Sequence, residues 1–494
     1  MYARAALMLC AASLAACKGV GPDFVPPQEP VPKRYAGAMH EAAAAPRPIE
    51  PPPATFWWQQ FHDAELDSLE QRAAAGNLDL KAAFLRIVEA RIQVQSARAQ
   101  GLPSLNGSAK FTREQLGLAG IVKSQGLGAG PTTSASTQQL IGALEQPVNI
   151  YQLGFDASWE LDLFGKVRRA VEAANAESAR AIESRNDLLV SLEAEVAQTY
   201  FQLRAAQALQ RITRSQIADQ RDVFDLTHER QTHGLAAEAD VESARAQLAN
   251  LESQLPPYEQ TIATSRHALA VLTGQPPEAL DAEFDAAGEL PPMPAEIPVG
   301  LPASLARRRP DIRNAEAALH AATAQIGVSV ASLFPDLSLS ASYGLRNTGS
   351  RYLWDWASRF YAYGPAISIP VFHGGTLVAG VRLSKAQAAE AAVNYRKSVL
   401  NALQEIEDAL SGEYEDSRRV VALNETVSAD QRALDIQLDA YRHGLVTYIT
   451  VLTAQLQTVQ ARQELAQALL TQSTDLVKLY KALGGGWEDA PGAP

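Results

Sequence analysis

The sequence predicts an α+β membrane protein in which one unit is used twice: a long antiparallel coiled-coil hairpin joined to a pair of β-strands. Three observations predict it. From Lys166 to His233 there is neither Gly nor Pro, and Ala, Glu, Arg, Gln and Leu dominate; a helix of that length is roughly 100 Å long at 1.5 Å per residue. The arrangement then returns: Leu377–His443 is proline-free with only Gly380 and Gly412 inside, and both runs end on the same turn, His233-Gly234-Leu235 and His443-Gly444-Leu445, 210 residues apart. Finally, four segments alternate apolar and polar residues with the period of two that marks a strand with unlike faces.

The long runs carry Leu189, Leu192, Val196 and Leu203 at three- and four-residue steps, the spacing of a coiled-coil seam, with Ala and Ser as neighbours that let helices approach closely. Rods this long need packing partners along their length, because isolated helices gain most of their stability from packing. The offset of 210 also aligns Glu195-Val196 with Glu405-Ile406, so the chain is a tandem duplication.

In chain order, residues 1–16 read as a signal peptide, with Arg4 ahead of the apolar ALMLCAASL. Leu14-Ala15-Ala16-Cys17 resembles a bacterial lipobox, which makes Cys17 a lipidated N-terminus; ordinary signal cleavage is the plainer alternative. Lys18 stands where an aspartate resembling an inner-membrane retention signal is missing, favouring outer-membrane delivery. Cys10, the other cysteine, leaves with the leader, so no disulfide is expected. Residues 17–55 form a Pro-rich strap, expected to be extended and unpacked. Residues 56–104 are helices of the first copy, with Asn77 capping a helix that carries Leu80, Phe84, Ile87, Val88 and Ile92. Residues 105–162 form the first β-hairpin and 163–275 the first helical hairpin, with its tip near 233–236. Pro256-Pro257 splits the return arm, and Tyr258–Thr273 is a separate helix. A connector (276–302) leads to the helices of the second copy (303–335), the second β-hairpin (336–372) and the second helical hairpin (373–484, tip near 443–446). Residues 485–494 are expected to be a disordered tail. Pro103 and Pro335 are 232 residues apart, so the first copy carries extra residues, placed in the glycine-rich segment Gly117–Thr137.

Tyr151–Asp162 puts Tyr151, Leu153, Phe155, Ala157, Trp159 and Leu161 on one face; Leu337–Arg346 and Tyr361–Val371 alternate likewise, and Leu105–Phe111 more weakly. The pattern fits transmembrane β-strands and equally a half-buried soluble sheet. Four strands cannot close a barrel, and an open edge cannot sit in lipid. Membrane strands therefore require several chains, and three copies give twelve strands. Tyr151, Trp159, Tyr352, Trp354, Trp356 and Tyr361 gather at strand ends and in the connecting loop, as interfacial girdles do.

Composition narrows the function. A net charge of −12 and a pI near 5.3 argue against a nucleic-acid partner and hint at cation preference in a lumen. HExxH and GxSxG are missing, and Val122 precedes Lys123-Ser124 where a phosphate-binding loop needs Gly. No enzyme, catalytic residue, metal site or cofactor is expected.

The lipobox, Gly21-Pro22-Asp23-Phe24-Val25-Pro26-Pro27, Leu255–Gln260 with His267–Gln275, Arg307–Ile312 and the two tip turns together resemble the outer membrane factor family: TolC-like channel tunnels, here the NodT/OprM-like lipoprotein branch. The resemblance implies a homotrimer with a 12-strand barrel in the outer membrane and a periplasmic α-barrel. It implies as partners a periplasmic adaptor protein, an inner-membrane pump of the resistance-nodulation-division type and outer-membrane lipid. Gly234, Leu235, Gly444 and Leu445 match the adaptor-contact turns, although glycine there is also a plain helix cap. Tyr441 matches a gate tyrosine and Asp240 its acidic partner. Thr450 and Thr453 stand where relatives place constricting aspartates, and Val446 replaces a linking arginine, so closure falls to Tyr441, Ile449 and these threonines. His233 and His443 read as capping histidines or as a pH-dependent contact. The function implied is an efflux channel tunnel; a lipid-anchored periplasmic adaptor or scaffold, and a type I secretion tunnel, are the alternatives.

Overall fold

A computed structural model describes residues 19–27, 29–36, 47–49, 51, 54–115, 146–286, 288–302 and 308–487. The leader, Cys17, the segment 117–137 and the tail beyond 487 lie outside the described residues. The chain divides into two units: Met1–Phe24, Arg91–Ala176 and His320–Ala389 in the first, the remainder in the second. In chain order the elements are β1 (Arg47–Ile49), α1 (Ala64–Gly76), α2 (Leu78–Ala99), β2 (Ser104–Glu114), β3 (Val148–Leu161), α3 (Lys166–Thr232), α4 (Glu238–Ser253), α5 (Leu255–Leu272), β4 (Glu296–Pro298), α6 (Pro310–Ala331), β5 (Asp336–Asn347), β6 (Arg359–Ser368), α7 (Thr376–Arg442) and α8 (Tyr448–Ala482). The two rods, α3 and α7, are each 67 residues long.

The first unit is built on an antiparallel sheet in the order β2-β3-β5-β6. Because side chains alternate across a strand, its register (Phe111 opposite Tyr151, Phe155 opposite Tyr343, Tyr343 opposite Tyr361) collects the apolar residues on one face. The β5–β6 connection is stapled by Asn347, whose Nδ2 donates to Ser358 Oγ at 2.7 Å and whose Oδ1 accepts from Gly349 N at 2.9 Å. Residues 19–24 dock here: Arg169 reaches Asp23 at 2.7 Å and the carbonyl of Val20 at 3.3 Å, and Phe24 stacks on His320 at 4.3 Å.

The second unit holds the main core. Asp63 caps α1 by accepting from Glu65 N and Leu66 N. Its other carboxylate oxygen accepts the Tyr200 hydroxyl at 2.7 Å. The short 3₁₀ turn Trp57–Phe61 drives two tryptophans inward; Trp57 stacks on Tyr480 at 5.0 Å, and Tyr480 Oη donates to Gln60 at 2.6 Å. Phe61, Leu66, Leu69, Leu189, Tyr200, Phe201, Leu203, Ile406 and Leu476 complete the cluster. Asn77 caps α2, its Oδ1 accepting from Asp79 N and Leu80 N. Leu80 and Ile87 are buried, whereas Phe84, Val88 and Ile92 face outward. The double proline sits in the first turn of α5, where a missing N–H costs nothing.

Two expectations fail. The strap is not an unpacked segment: Tyr35 is 2% exposed in the core, and β1 pairs in parallel with β4 of the connector, Arg47 opposite Glu296. Its prolines fix an extended backbone, and an extended backbone is what a sheet edge accepts. The tail is still packed past 485, with Trp487 Nε1 donating to the Arg308 carbonyl at 2.8 Å and its ring under Arg313.

Gly274 has φ +75°, and a Cβ there would overlap the Gly76 carbonyl. Gly274→Ala is therefore expected to lower the melting temperature and the yield of folded protein. Burial pushes the Glu413 carboxyl up to about 8; Gln472, donating to it at 2.9 Å, opposes this, and Asp416 and Asp475 add repulsion. A carboxyl held protonated in the fold but ionised in the unfolded chain loses stability as pH rises from the ordinary glutamate value near 4.5 through about 8. Glu413→Gln removes this slope, so its advantage over the parent in thermal melts should grow from pH 5 to pH 8.5. An equal shift at both pH values would contradict it.

Candidate functional site

The two tip turns are built alike. Gly234 (φ +72°) and Gly444 (φ +75°) take the left-handed conformation that ends a helix. Leu235 N donates to the Arg230 carbonyl at 2.8 Å and Leu445 N to the Ala440 carbonyl at 2.9 Å, the long bond of a Schellman cap. Both leucines are left in solvent, Leu235 at 69% and Leu445 at 78% exposure. His233 and His443 place Nδ1 2.8 Å from the carbonyls of Glu229 and Asp439, the capping arrangement.

Behind the tips a small buried cluster joins the hairpins: Val223 of α3, Ala244 of α4, Tyr441 of α7, and Tyr448 and Val451 of α8. Tyr441 lies inside it. Its hydroxyl is 3.3 Å from Thr227 Oγ1, and the Arg230 guanidinium lies 4.7 Å over its ring while Nη1 donates to its carbonyl at 2.8 Å. Arg230 thereby adds a second donor to a carbonyl that already accepts Gly444 N at 2.9 Å, at the C-terminus of α7 where a cation is electrostatically favoured. Tyr448 receives a bond from Gln220 Nε2 at 3.3 Å; burial, the first cause, pushes its hydroxyl pKa up.

The residues read together from sequence separate in space. Asp240 Oδ2 accepts from Ala237 N at 3.3 Å, one half of a capping box, and is not bonded to Tyr441 of its own chain. Ile449 and Thr453 are exposed one turn apart on α8, with Thr453 Oγ1 donating to the Ile449 carbonyl, while Thr450 is half-buried 3.4 Å from Thr447. Sequence reasoning missed Thr227, Arg230, Gln220 and Tyr448. The available signal was the duplication, since Ala440 aligns with Arg230 and Glu238 with Tyr448.

Deeper between the hairpins lies a cavity of about 250 Å³ lined by Gln216, Gln220, Gln247, Gln431, Gln455 and Arg462 among others. Both polar atoms of the buried Gln216 amide lack a protein partner, as does Gln455 Oε1. Buried amides without protein partners are the groups that internal water satisfies.

Residues 69–275 and 301–485 match the profile of the family described as outer membrane efflux protein. The matches begin 232 residues apart (69 to 301) and end 210 apart (275 to 485), the same two offsets that relate the repeats. The chain is 34% identical to the pyoverdine export outer membrane protein OpmQ of Pseudomonas aeruginosa, over 87% of each chain. It is 31% identical to the probable efflux pump outer membrane protein TtgC of Pseudomonas putida, over 95% of this chain and 93% of that one. Among solved structures, the outer-membrane channel OprN superposes with a TM-score of 0.83 at 33% identity, covering 95% and 99% of the two chains. Profile, relatives and fold agree over nearly the whole length, and the chain belongs to the outer membrane efflux protein family.

Proposed function

We propose that three copies of this chain assemble in the outer membrane, closing their sheets into one twelve-stranded barrel that continues into a periplasmic tunnel of twelve helices. One observation carries the reading. Among the described residues the sheet has two unpaired edges, β2 and β6. Its apolar face leaves Leu105, Phe111, Phe155, Tyr361, Tyr363 and Ile367 uncovered. Lipid covers such a face, but only closure satisfies the edge N–H and C=O groups there. Exposed Val378, Leu383, Val393, Leu400 and Ile436 along α7 call for partner helices as well.

In this reading the chain is the exit duct of a tripartite efflux system. A periplasmic adaptor seats on the turns Gly234-Leu235 and Gly444-Leu445, an inner-membrane pump of the resistance-nodulation-division type supplies the cargo, and Cys17 carries the lipid anchor. The tip gate divides its labour. Tyr441 is the anchor holding the second hairpin to the first, Ile449 and Thr453 present the constricting surface, Thr450 supports the turn, and Asp240 shapes the start of α4. Relatives are named for pyoverdine export and for an efflux pump; in this reading cargo choice lies upstream of the duct.

Purified lipoprotein in planar bilayers should conduct and run as a trimer that heating dissociates; a non-conducting monomer would refute the assembly. Tyr441→Phe removes the bond to Thr227, worth about 1 kcal/mol, and should raise the open fraction of single channels about fivefold. Arg230→Ala should raise it further, while Arg230→Lys falls between. Open fractions equal to the parent in all three variants would remove Tyr441 from the gate.

A further inference from the structure

The polar face of the sheet is ordered by charge. Reading the register across the strands, Lys110 of β2 stands opposite Gln152 of β3, and Gln152 opposite Arg346 of β5. Arg346 is held in this row, its Nε and Nη2 donating to Gln152 Oε1 at 3.1 and 2.8 Å while its guanidinium lies 4.8 Å over the Phe360 ring. The row partner of Phe360 is Gly344, where a Cβ would overlap the Leu153 carbonyl and Gly154 Cα and come within 2.9 Å of the Phe360 ring.

Acidic groups on the same face do not balance this row. Glu160 and Asp336, at the end where the helices attach, are both bound by Lys166 at 3.1 and 3.9 Å. Asp156 lies four residues from Gln152 on β3, about 13 Å away along the strand, and accepts the Ser108 hydroxyl at 3.4 Å. Glu114 is the same number of residues beyond Lys110 at the hairpin end of β2. Among the described residues no carboxylate forms an ion pair with Lys110 or Arg346.

We propose that Lys110 and Arg346 form a cationic ring near the outer exit of the lumen that favours solutes bearing carboxylate or phosphate. The inference rests on the twelve-stranded closure proposed above, which repeats the row three times and sets six cations around the bore. Rings of Arg and Lys select anions by the field they place across a pore. Twelve strands about 4.8 Å apart enclose a radius on the order of 10 Å, comparable with the Debye length of about 10 Å at 0.1 M salt. The ring therefore biases permeation by a few-fold and acts more strongly in dilute salt. The whole-chain charge of −12 points the other way, but selectivity follows the charges that face the bore.

The test is the reversal potential of the full-length trimer in planar bilayers under a KCl gradient at about 0.1 M. The parent should favour chloride, and the double variant K110Q/R346Q should shift the chloride-to-potassium permeability ratio roughly two- to fivefold towards potassium. R346K should keep most of the parent value, since charge rather than packing on Phe360 is the agent. A reversal potential identical in parent and double variant, with normal trimer bands and conductance, overturns the ring. So does R346K shifting the ratio as far as the double variant. A parent that passes no current removes the closure itself and the ring with it.

Discussion

The sheet edge is the constraint on which the rest of this molecule depends. Each strand carries backbone donors and acceptors that water can satisfy and hydrocarbon cannot, and among the described residues four strands in the order β2-β3-β5-β6 leave two such rows open. A monomer of this kind is at home neither in water, where Phe155, Tyr361 and Tyr363 are uncovered, nor in lipid, where the edges are not paired. The assembly proposed above would answer both needs, with neighbouring copies pairing the edges that one chain leaves unmet.

Within the second unit, stability is unevenly distributed. The core around Trp57, Phe61, Tyr200, Phe201 and Tyr480 is large and aromatic, and Arg204 ties it through the Tyr200 hydroxyl at 3.0 Å and Gln207 at 2.9 Å. The tip cluster has five buried residues. At about 1.5–3 kcal/mol for full burial of a large side chain, the tip is held by a few contacts and the core by many times more. Between them lies a cavity whose lining includes several glutamines, with amide atoms that lack a partner among the described residues. A densely packed core and a lightly fastened end suit the gate proposed above, because regions of low local stability are the ones that open.

Duplication explains the architecture, and divergence between the copies makes the two tips unequal. Both tips keep the same glycine cap, but Arg230 has become Ala440 in the second copy and Asp240 has become Thr450. One guanidinium therefore fastens the end of α7 to α3 within a chain, whereas its counterpart position has nothing to offer a neighbour. A few side-chain differences near the tips make a twofold internal repeat into two unequal seams.

The sequence by itself determined the rods, the paired tips, the alternating strands and the duplication, because each is a periodicity or a glycine and proline placement that local physics reads directly. It also determined the turn residues Gly234 and Gly444, since left-handed backbone belongs to glycine. Only the tertiary structure decided what faces what. The pairing of β1 with β4, which turned the expected loose strap into part of the core, joins residues 249 apart in the chain, Arg47 and Glu296. The seating of Arg230 on Tyr441 and the alignment of Lys110, Gln152 and Arg346 in one row depend on register and on helix rotation. A one-residue slip would turn every strand side chain to the opposite face, so no local pattern fixes which cation meets which acceptor. Periodicity specifies the faces of each element; the packing of distant elements chooses their partners.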